Sequence, residues 1–584
     1  MFRLLRTFCG FVLLATLTHC TSTERSKASR VQDARPNIII VLVDDMGFSD
    51  LGSYGGEIQT PNIDQLATGG IRFTQFYNTA RCCPTRASLL TGLYPHQAGI
   101  GQMTGDQGAE FPGYRGQLKQ SAVTIAEVLK SEGYQTGMVG KWHVSNTQQQ
   151  KSQKRSETPQ LDWLNHQDFA DADFGPLEAY PTARGFDKYY GNIWGVVNFF
   201  DPFSLVNGTT PVASVPDDYY HTDALSDSAV SYVKEFAQQD APFFLYLAHT
   251  APHWPLHALP EDIDKYADTY TEGWDAIRSS RFERMKELGI LGPEVSLPDH
   301  QRKIDIWAEN PHQAYDARKM AVHAAMIDRI DQGMGRLLAT LEETNQLDHT
   351  LILFLSDNGA SPEMPKKAGF DRNSETRDGQ QVIYTTNDKT IMPGGELTYA
   401  GIGDHWANVA NTPFRYWKAR TFEGGICTPL IAHWPNGITQ QAGSINKSPG
   451  HVIDLMATCL DVAGATYPRQ FNGHDITPME GKSLAPIFTN GSREGHESIF
   501  FEHFWSSALR MDKWKLVALP DGVWELYDLD ADRTEQHNLI DQFPEVAEKM
   551  KARWQEEATR TQVFPGPKMP KHVKKQRKAA GTIK

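Results

Sequence analysis

Cysteine is scarce in this chain. Six occur among 584 residues, and two of them, Cys9 and Cys20, lie close to the start. Cys82, Cys83, Cys427 and Cys459 are too few and too scattered to staple so large a chain, which excludes a disulfide-framed fold. No Cys-x-x-Cys pair is present, so the common structural zinc patterns are excluded too. An excess of positive charge is missing. The formal net charge of −14 argues against a nucleic-acid partner. Long apolar runs are missing as well. The run from Phe8 to Leu17, behind Arg3 and Arg6, is too short to span a bilayer and has the form of a secretory signal. No internal repeat is visible.

The two ends carry separate signals. The apolar run closes on Leu17-Thr18-His19-Cys20. Leu17 and Cys20 fit a bacterial lipobox, but His19 stands where a small residue is usual. Two outcomes stay open: lipidation of Cys20, or simple cleavage nearby. Either predicts an exported protein, periplasmic or held at the outer membrane by a lipid anchor alone. Residues 21–35 are polar and suit a flexible tether. At the other end, Pro565, Pro567 and Pro570 precede a basic stretch, Lys571 to Lys578. It is expected to be a solvated, disordered tail, with an electrostatic hold on a polyanion as the alternative. The chain thus divides into a signal (1–20), a tether (21–35), a large α/β domain (36–490), a C-terminal α+β subdomain (491–565) and the tail (566–584).

Between the ends, strands alternate with helices. Ile38 to Val43 is a continuous β-prone apolar run, as a strand buried on both faces requires. Strands are also expected at 71–77, 134–139, 242–248, 350–355 and 429–434. Helices are expected at 121–130, 221–238, 314–344 and 451–464. This rhythm predicts a large, doubly wound, mainly parallel sheet with helices on both faces. From Ser498 onward the pattern changes to short strands, at 498–502, 514–519 and 524–529, then one helix at 544–557. That predicts a small antiparallel sheet packed with a helix. Residues 147–173 and 360–400 interrupt the rhythm as insertions.

Polar groups recur just past the strands. Asp44-Asp45 follows the first strand, and Lys141-Trp142-His143 follows another. His253 lies in the Pro-rich stretch after residue 248, and Asp357-Asn358 follows residue 355. Each alone fits a surface turn or a cap. Together they gather where open α/β sheets bind ligands. Two adjacent carboxylates, joined by Asp357 and Asn358, offer the hard oxygen donors that Ca²⁺ or Mg²⁺ takes. Arg81 to Gly92 follows the strand at 71–77 and opens a helix, with Pro84 suited to its first turn and Gly92 to its end. Cys82 then sits at a helix N-terminus, a place that favours anions. Arg86 lies one turn on. A buried free thiol beside a cap is the plainer reading of the same residues. Tyr189, Tyr190, Trp194, Phe199, Phe200 and Phe203 cluster closely. They suit a satellite core or the wall of a sugar- or aryl-binding cleft.

The motifs carry a family resemblance. Cys82-Cys83-Pro84-Thr85-Arg86 with Ala87-Ser88-Leu89-Leu90-Thr91-Gly92 resembles the signature of type I sulfatases in the alkaline phosphatase superfamily. Residues 47–64 resemble the bacterial arylsulfatase branch. Gly140 to His143, Ala251 to Pro255, Ser356 to Gly359, and Lys418 with Glu423-Gly424-Gly425 appear in family order. The resemblance spans about Pro36 to Asn538. It implies oxidation of Cys82 to formylglycine by a separate formylglycine-generating maturation enzyme. It implies one Ca²⁺, or Mg²⁺, held by Asp44, Asp45, Asp357, Asn358 and residue 82. Lys141 and Lys418 would grip the sulfate, and Arg86 would orient residue 82. His253 would protonate the leaving oxygen, and His143 would act as base.

Those residue types suit sulfate-ester hydrolysis. Charge builds on the leaving oxygen and on the sulfuryl oxygens, where a cation and two ammonium groups stabilise it. A hydrated formylglycine has one hydroxyl to attack sulfur and a second whose deprotonation expels the sulfate; a plain thiol has no such second group. The expected substrate is a sulfated glycan or an aryl sulfate. Trp194, Asn198 and His257 are the candidate sugar contacts, with the 360–410 stretch beside them. Phosphomonoester or phosphonate hydrolysis on the same scaffold is an alternative, and so is non-catalytic binding of a sulfated glycan.

Overall fold

The Asn37–Val43 strand lies near the middle of the large sheet, as its unbroken apolar run requires. It pairs in parallel with Phe243–Ala248 on one side and Thr350–Ser356 on the other. The computed structural model describes residues 35–147, 174–299, 306–369, 372–376 and 378–583. The signal, Cys20, nearly all of the tether and most of the 147–173 insertion lie outside the described residues.

From one edge the sheet runs Ser444–Asn446, Ile71–Tyr77, Cys427–His433, Thr350–Ser356, Asn37–Val43, Phe243–Ala248, Gln135–Gly140, Lys188–Asn192, Leu205–Asn207 and Thr210–Pro211. Side-chain alternation splits the central strand between two cores. Ile39, Val41 and Val43 face the layer that contains the Gln313–Glu343 and His221–Phe236 helices. Ile38, Ile40 and Leu42 face the layer of Cys82–Thr91, Ile125–Ser131 and Asp454–Ala463. Each such side chain contributes about 1.5–3 kcal/mol on burial, so both helical layers are held firmly to the sheet.

Register aligns the functional edge. Leu42 is opposite both Ala248 and Leu355, and Ala248 is opposite Gly140. The residues that follow these positions therefore leave the sheet side by side. The Cys427–His433 strand departs from the parallel pattern and is antiparallel to both neighbours. Its reversed direction puts its beginning at the same edge, with Thr428 Oγ1 donating to the Ser356 carbonyl at 3.1 Å. The stretch before it, which includes Lys418, is thereby delivered to the site.

The C-terminal sheet has four antiparallel strands: Ile499–His503, Ser506–Met511, Trp514–Ala518 and Trp524–Asp528. Three were expected; Ser506–Met511 is the addition. Phe500, Leu509, Leu516 and Leu526 pack against Ala547, Met550 and Trp554 of the Pro544–Arg560 helix. This sheet belongs to the same compact unit as the large one. The tail departs from the disorder expected of it. Lys571–Ala579 is a helix, anchored by buried Val573 and by Arg577 Nε donating to the Pro520 carbonyl at 3.0 Å. A single apolar residue in a run of like charges suffices to dock it, and composition alone hides that.

Candidate active site

The site forms where six segments meet at the aligned edge. Asp44, Asp45, Cys82, Arg86, Lys141, His143, His253, Asp357, Asn358 and Lys418 are all buried there. Arg86 ties the segments together. Its Nη2 donates to Asp44 Oδ2 and Asp357 Oδ2, each at 3.0 Å, and its Nη1 to the Lys141 carbonyl at 2.9 Å. Lys141 Nζ also pairs with Asp44 Oδ2. On the other side, Lys418 Nζ lies 2.7 Å from Asp45 Oδ1, and Asn358 Nδ2 donates to the same oxygen at 2.7 Å.

Local backbone supports these positions. Asp45 and His143 have φ of 67° and 52°, in the left-handed region that non-glycine residues seldom enter. Such strain persists where the surroundings impose it. The Lys418 loop is stitched at both ends: Lys418 N–H donates to the Ala360 carbonyl at 3.2 Å, and Ala419 N–H to the Ala80 carbonyl at 2.7 Å. Gly424 is needed for this loop to close. A Cβ there would lie 2.3 Å from the carbonyl oxygens of Arg415 and Tyr416.

Electrostatics separates the groups. Burial alone would raise the Asp44 carboxyl, but Lys141, His253 and Arg86 hold it below the ordinary range. Burial, and then the charge of Asp44, push Asp357 well above it. A hydrogen bond from Cys83 lowers the Cys82 thiol strongly, with Lys141 and His143 adding to the effect against burial. Position 82, at the start of the Cys82–Thr91 helix, therefore favours negative charge. Burial holds His143 and His253 below the usual imidazole value, helped at His253 by Lys418. His253 Nδ1 donates to the Trp254 carbonyl at 2.6 Å, which leaves Nε2 pointing into the site, 3.6 Å from Asp45 Oδ2.

The donor set fits a hard divalent cation. Asp44, Asp45 and Asp357 bring three carboxylates together in a dry site, a costly grouping without a counter-charge. Asp44 Oδ1 and Asn358 Oδ1 are buried acceptors with no hydrogen-bond donor. Oxygen ligands of this kind suit Ca²⁺ or Mg²⁺.

A second layer was not foreseen. Glu363 Oε1 accepts from Arg81 Nη1 and its Oε2 from Trp254 Nε1, both at 2.8 Å, and Oε2 lies 4.0 Å from Lys418 Nζ. Glu363 thus clamps the neighbours of Cys82 and His253 beside the second lysine. It lies in the 360–400 stretch, where no periodicity marks it.

The three expected sugar contacts are buried and engaged within the protein. Trp194 is buried and its Nε1 donates to the Phe174 carbonyl at 2.6 Å. Asn198 is buried, accepting from the N–H groups of Phe200 and Asp201 and donating to the Glu396 carbonyl. His257 is enclosed between Phe199 N–H and the Thr398 carbonyl, and burial lowers it to about 3. The aromatic segment divides between the two cores of the sheet: Phe199 lies in one, with Tyr190 and Phe200 packed against it, and Tyr189, Trp194 and Phe203 lie in the other.

Comparison with known proteins agrees with this geometry. A family model described as Sulfatase matches residues 36–465. The chain belongs to the sulfatase family. A second model, N-sulphoglucosamine sulphohydrolase, C-terminal, matches residues 414–560. An uncharacterized sulfatase of Schizosaccharomyces pombe is 30% identical, covering 90% of this chain and 94% of its own. An arylsulfatase of Klebsiella aerogenes is 34% identical, covering 79% of this chain and 93% of its own. The crystal structure of Ps i-CgsB in complex with k-i-k-neocarrahexaose is 25% identical with a TM-score of 0.61, covering 94% of this chain and 98% of that one. This sulfatase is a sulfuric ester hydrolase, built on the fold that its relatives share.

Proposed function

We propose that this sulfatase hydrolyses sulfate esters of carbohydrates with a formylglycine made from Cys82 and one Ca²⁺. The observation that carries the reading is Cys82 at a buried helix N-terminus, facing Lys141 and His143, in a site with three clustered carboxylates. Asp44, Asp45, Asp357 and Asn358 would hold the cation, which supplies charge stabilisation for the sulfuryl oxygens when bound. Once made and hydrated, a formylglycine would supply a geminal diol, one hydroxyl to attack sulfur as the bond from sulfur to the alcohol oxygen breaks and a second whose deprotonation would let sulfate leave.

The remaining chemistry belongs to side chains of this chain. Arg86, fixed by two carboxylates, orients residue 82. Lys141 and Lys418 would grip the sulfate. His253 Nε2, with Nδ1 committed to a carbonyl, delivers a proton to the leaving oxygen. His143 takes the proton from the second hydroxyl at residue 82. The maturation partner is a formylglycine-generating enzyme. Arg3, Arg6 and the apolar run to Leu17 support export, and Cys20 is the residue that would carry a lipid anchor.

The carbohydrate reading draws on the neocarrahexaose bound by a structural relative. The arylsulfatase relative supports a simpler reading, in which small aryl sulfates are the substrates. Turnover of matched sulfate and phosphate esters, aryl and sugar, by matured protein separates these cases. Sulfate turnover that is highest on sugars supports the proposal. Preference for phosphate overturns it, and preference for aryl sulfates favours the simpler reading.

A further inference from the structure

Outside the site just described, a cavity of about 490 Å³ opens between the C-terminal sheet and the final helix. Its size lies within the range of small-molecule sites. Tyr114, Trp505, Trp524 and Trp554 supply aromatic walls, and Arg577 of the tail helix lines it from the other side. Arg577 is fixed by its hydrogen bond to the Pro520 carbonyl. Glu502 also lines the cavity, but it is engaged by His96 at 3.0 Å and by the Trp505 N–H at 2.9 Å. Lys551 is paired at the surface with Glu548. Arg577 is the cationic group that the tail helix brings to the wall, within electrostatic reach of Asp521 and Glu502.

The turn that presents Trp505 is strained. Strands Ile499–His503 and Ser506–Met511 are joined by two residues, with His503 opposite Ser506. The joining residues, Phe504 and Trp505, have φ of 46° and 65°. A two-residue hairpin of this hand favours Asn-Gly, because both positions need positive φ. Bulky side chains there are outliers. Backbone strain of this kind concentrates at ligand-holding sites. The two rings are stacked, with centroids 6.3 Å apart. The backbone holds an unfavourable conformation, and Trp505 is thereby placed in the cavity wall.

The cavity adjoins the catalytic helix. Gln102 lines it, and the Gln102 carbonyl accepts from Cys83 Sγ at 3.3 Å. Gln102 thus connects the cavity wall to the helix that begins at residue 82.

We propose that this cavity is a subsite for an anionic sugar unit, next to the unit whose sulfate reaches residue 82; it rests on the sulfated-carbohydrate reading above. The apolar C–H face of a pyranose lies flat on indole rings, which combine apolar area with a polar edge. The planar guanidinium of Arg577 suits a sulfate or carboxylate, through paired charge-assisted hydrogen bonds. The basic tail then serves the glycan directly, as a wall of the subsite.

The test uses two variants, Phe504→Asn with Trp505→Gly, and Arg577→Gln. The first installs the residues that the turn prefers, so its melting temperature should equal or exceed that of the parent. Binding is measured by calorimetry on full-length thiol-form protein, which does not turn the ligand over. The probes are carrageenan and heparan sulfate hexasaccharides. The parent should bind at least one, and each variant should weaken that binding about tenfold or more. Turnover of p-nitrophenyl sulfate by the matured variants should stay within about twofold of the parent. Failure of the parent to bind either probe overturns the subsite, as does unchanged affinity in both variants. Failure of the matured parent to turn over any sulfate ester, sugar or aryl, would count against the sulfatase chemistry instead, since the binding measurement does not depend on it.

Discussion

Lys418 Nζ lies 2.7 Å from Asp45 Oδ1, with both side chains buried. Burial alone would lower the lysine, but Asp45 and then Glu363 more than reverse this, so the ammonium stays charged throughout the working pH range. A fixed charge in a dry site needs no reorganisation as charge builds on the sulfuryl oxygens. Lys418→Met should lower kcat/KM on a sulfate ester by about 10²–10³, the cost of losing one preorganised donor. Steady-state kinetics on matured protein check this. A loss below about threefold would remove Lys418 from the sulfate grip.

The clustered carboxylates predict a metal-dependent stability. A cation that binds only the folded state stabilises it by about 2.7 kcal/mol at a hundred times its Kd. Thermal melts of chelator-treated protein should therefore shift upward when Ca²⁺ is added. Asp357→Ala removes one proposed ligand and should abolish the shift. This readout needs no turnover. Identical melts with and without Ca²⁺ would contradict the assigned site.

Asp50, beneath the same sheet edge, predicts an acid-sensitive fold. Burial alone would raise its carboxyl, yet Arg281 and His323 hold it at about 2 against the ordinary 3.8. Arg281 Nη1 donates to Asp50 Oδ1 at 2.6 Å, and His323 Nε2 lies 3.1 Å from Oδ2. The folded-state value is depressed. The stabilisation is therefore fully present above the unfolded-chain value near 4 and is lost as pH falls from there through about 2. A difference of this size corresponds to roughly 2–3 kcal/mol. Urea unfolding at pH 7 and pH 3 should show Asp50→Asn destabilised at pH 7 and closer to the parent at pH 3. An equal gap at both values would show that the charge of Asp50 contributes nothing.

Much of this site was legible because its polar residues follow strands. Four apolar runs each ended in the polar residues that the structure gathers, and a shared register brings such ends together. The antiparallel direction of Cys427–His433 was not legible, since an apolar run carries no sign of its direction. Glu363 was hidden by its irregular segment. Strand Ser506–Met511 was missed for a specific reason: Phe504-Trp505 turns the chain without the Gly, Asn or Asp that announces a hairpin. The burial of Trp194, Asn198 and His257 was not legible, because aromatic density marks a buried core as readily as a cleft. The tail helix was hidden because its anchors are one apolar residue, Val573, and a hydrogen bond from Arg577 that no periodicity announces.

The central claim is that residue 82 works as an aldehyde and not as a thiol. The most direct measurement is peptide mass spectrometry of residue 82, paired with sulfate-ester turnover on the same preparation. Protein co-expressed with a formylglycine-generating enzyme should show the mass loss of thiol-to-aldehyde conversion at Cys82. Activity should rise in proportion to the converted fraction, and Cys82→Ala should be inactive. Full turnover by protein whose Cys82 is an intact thiol would contradict the account.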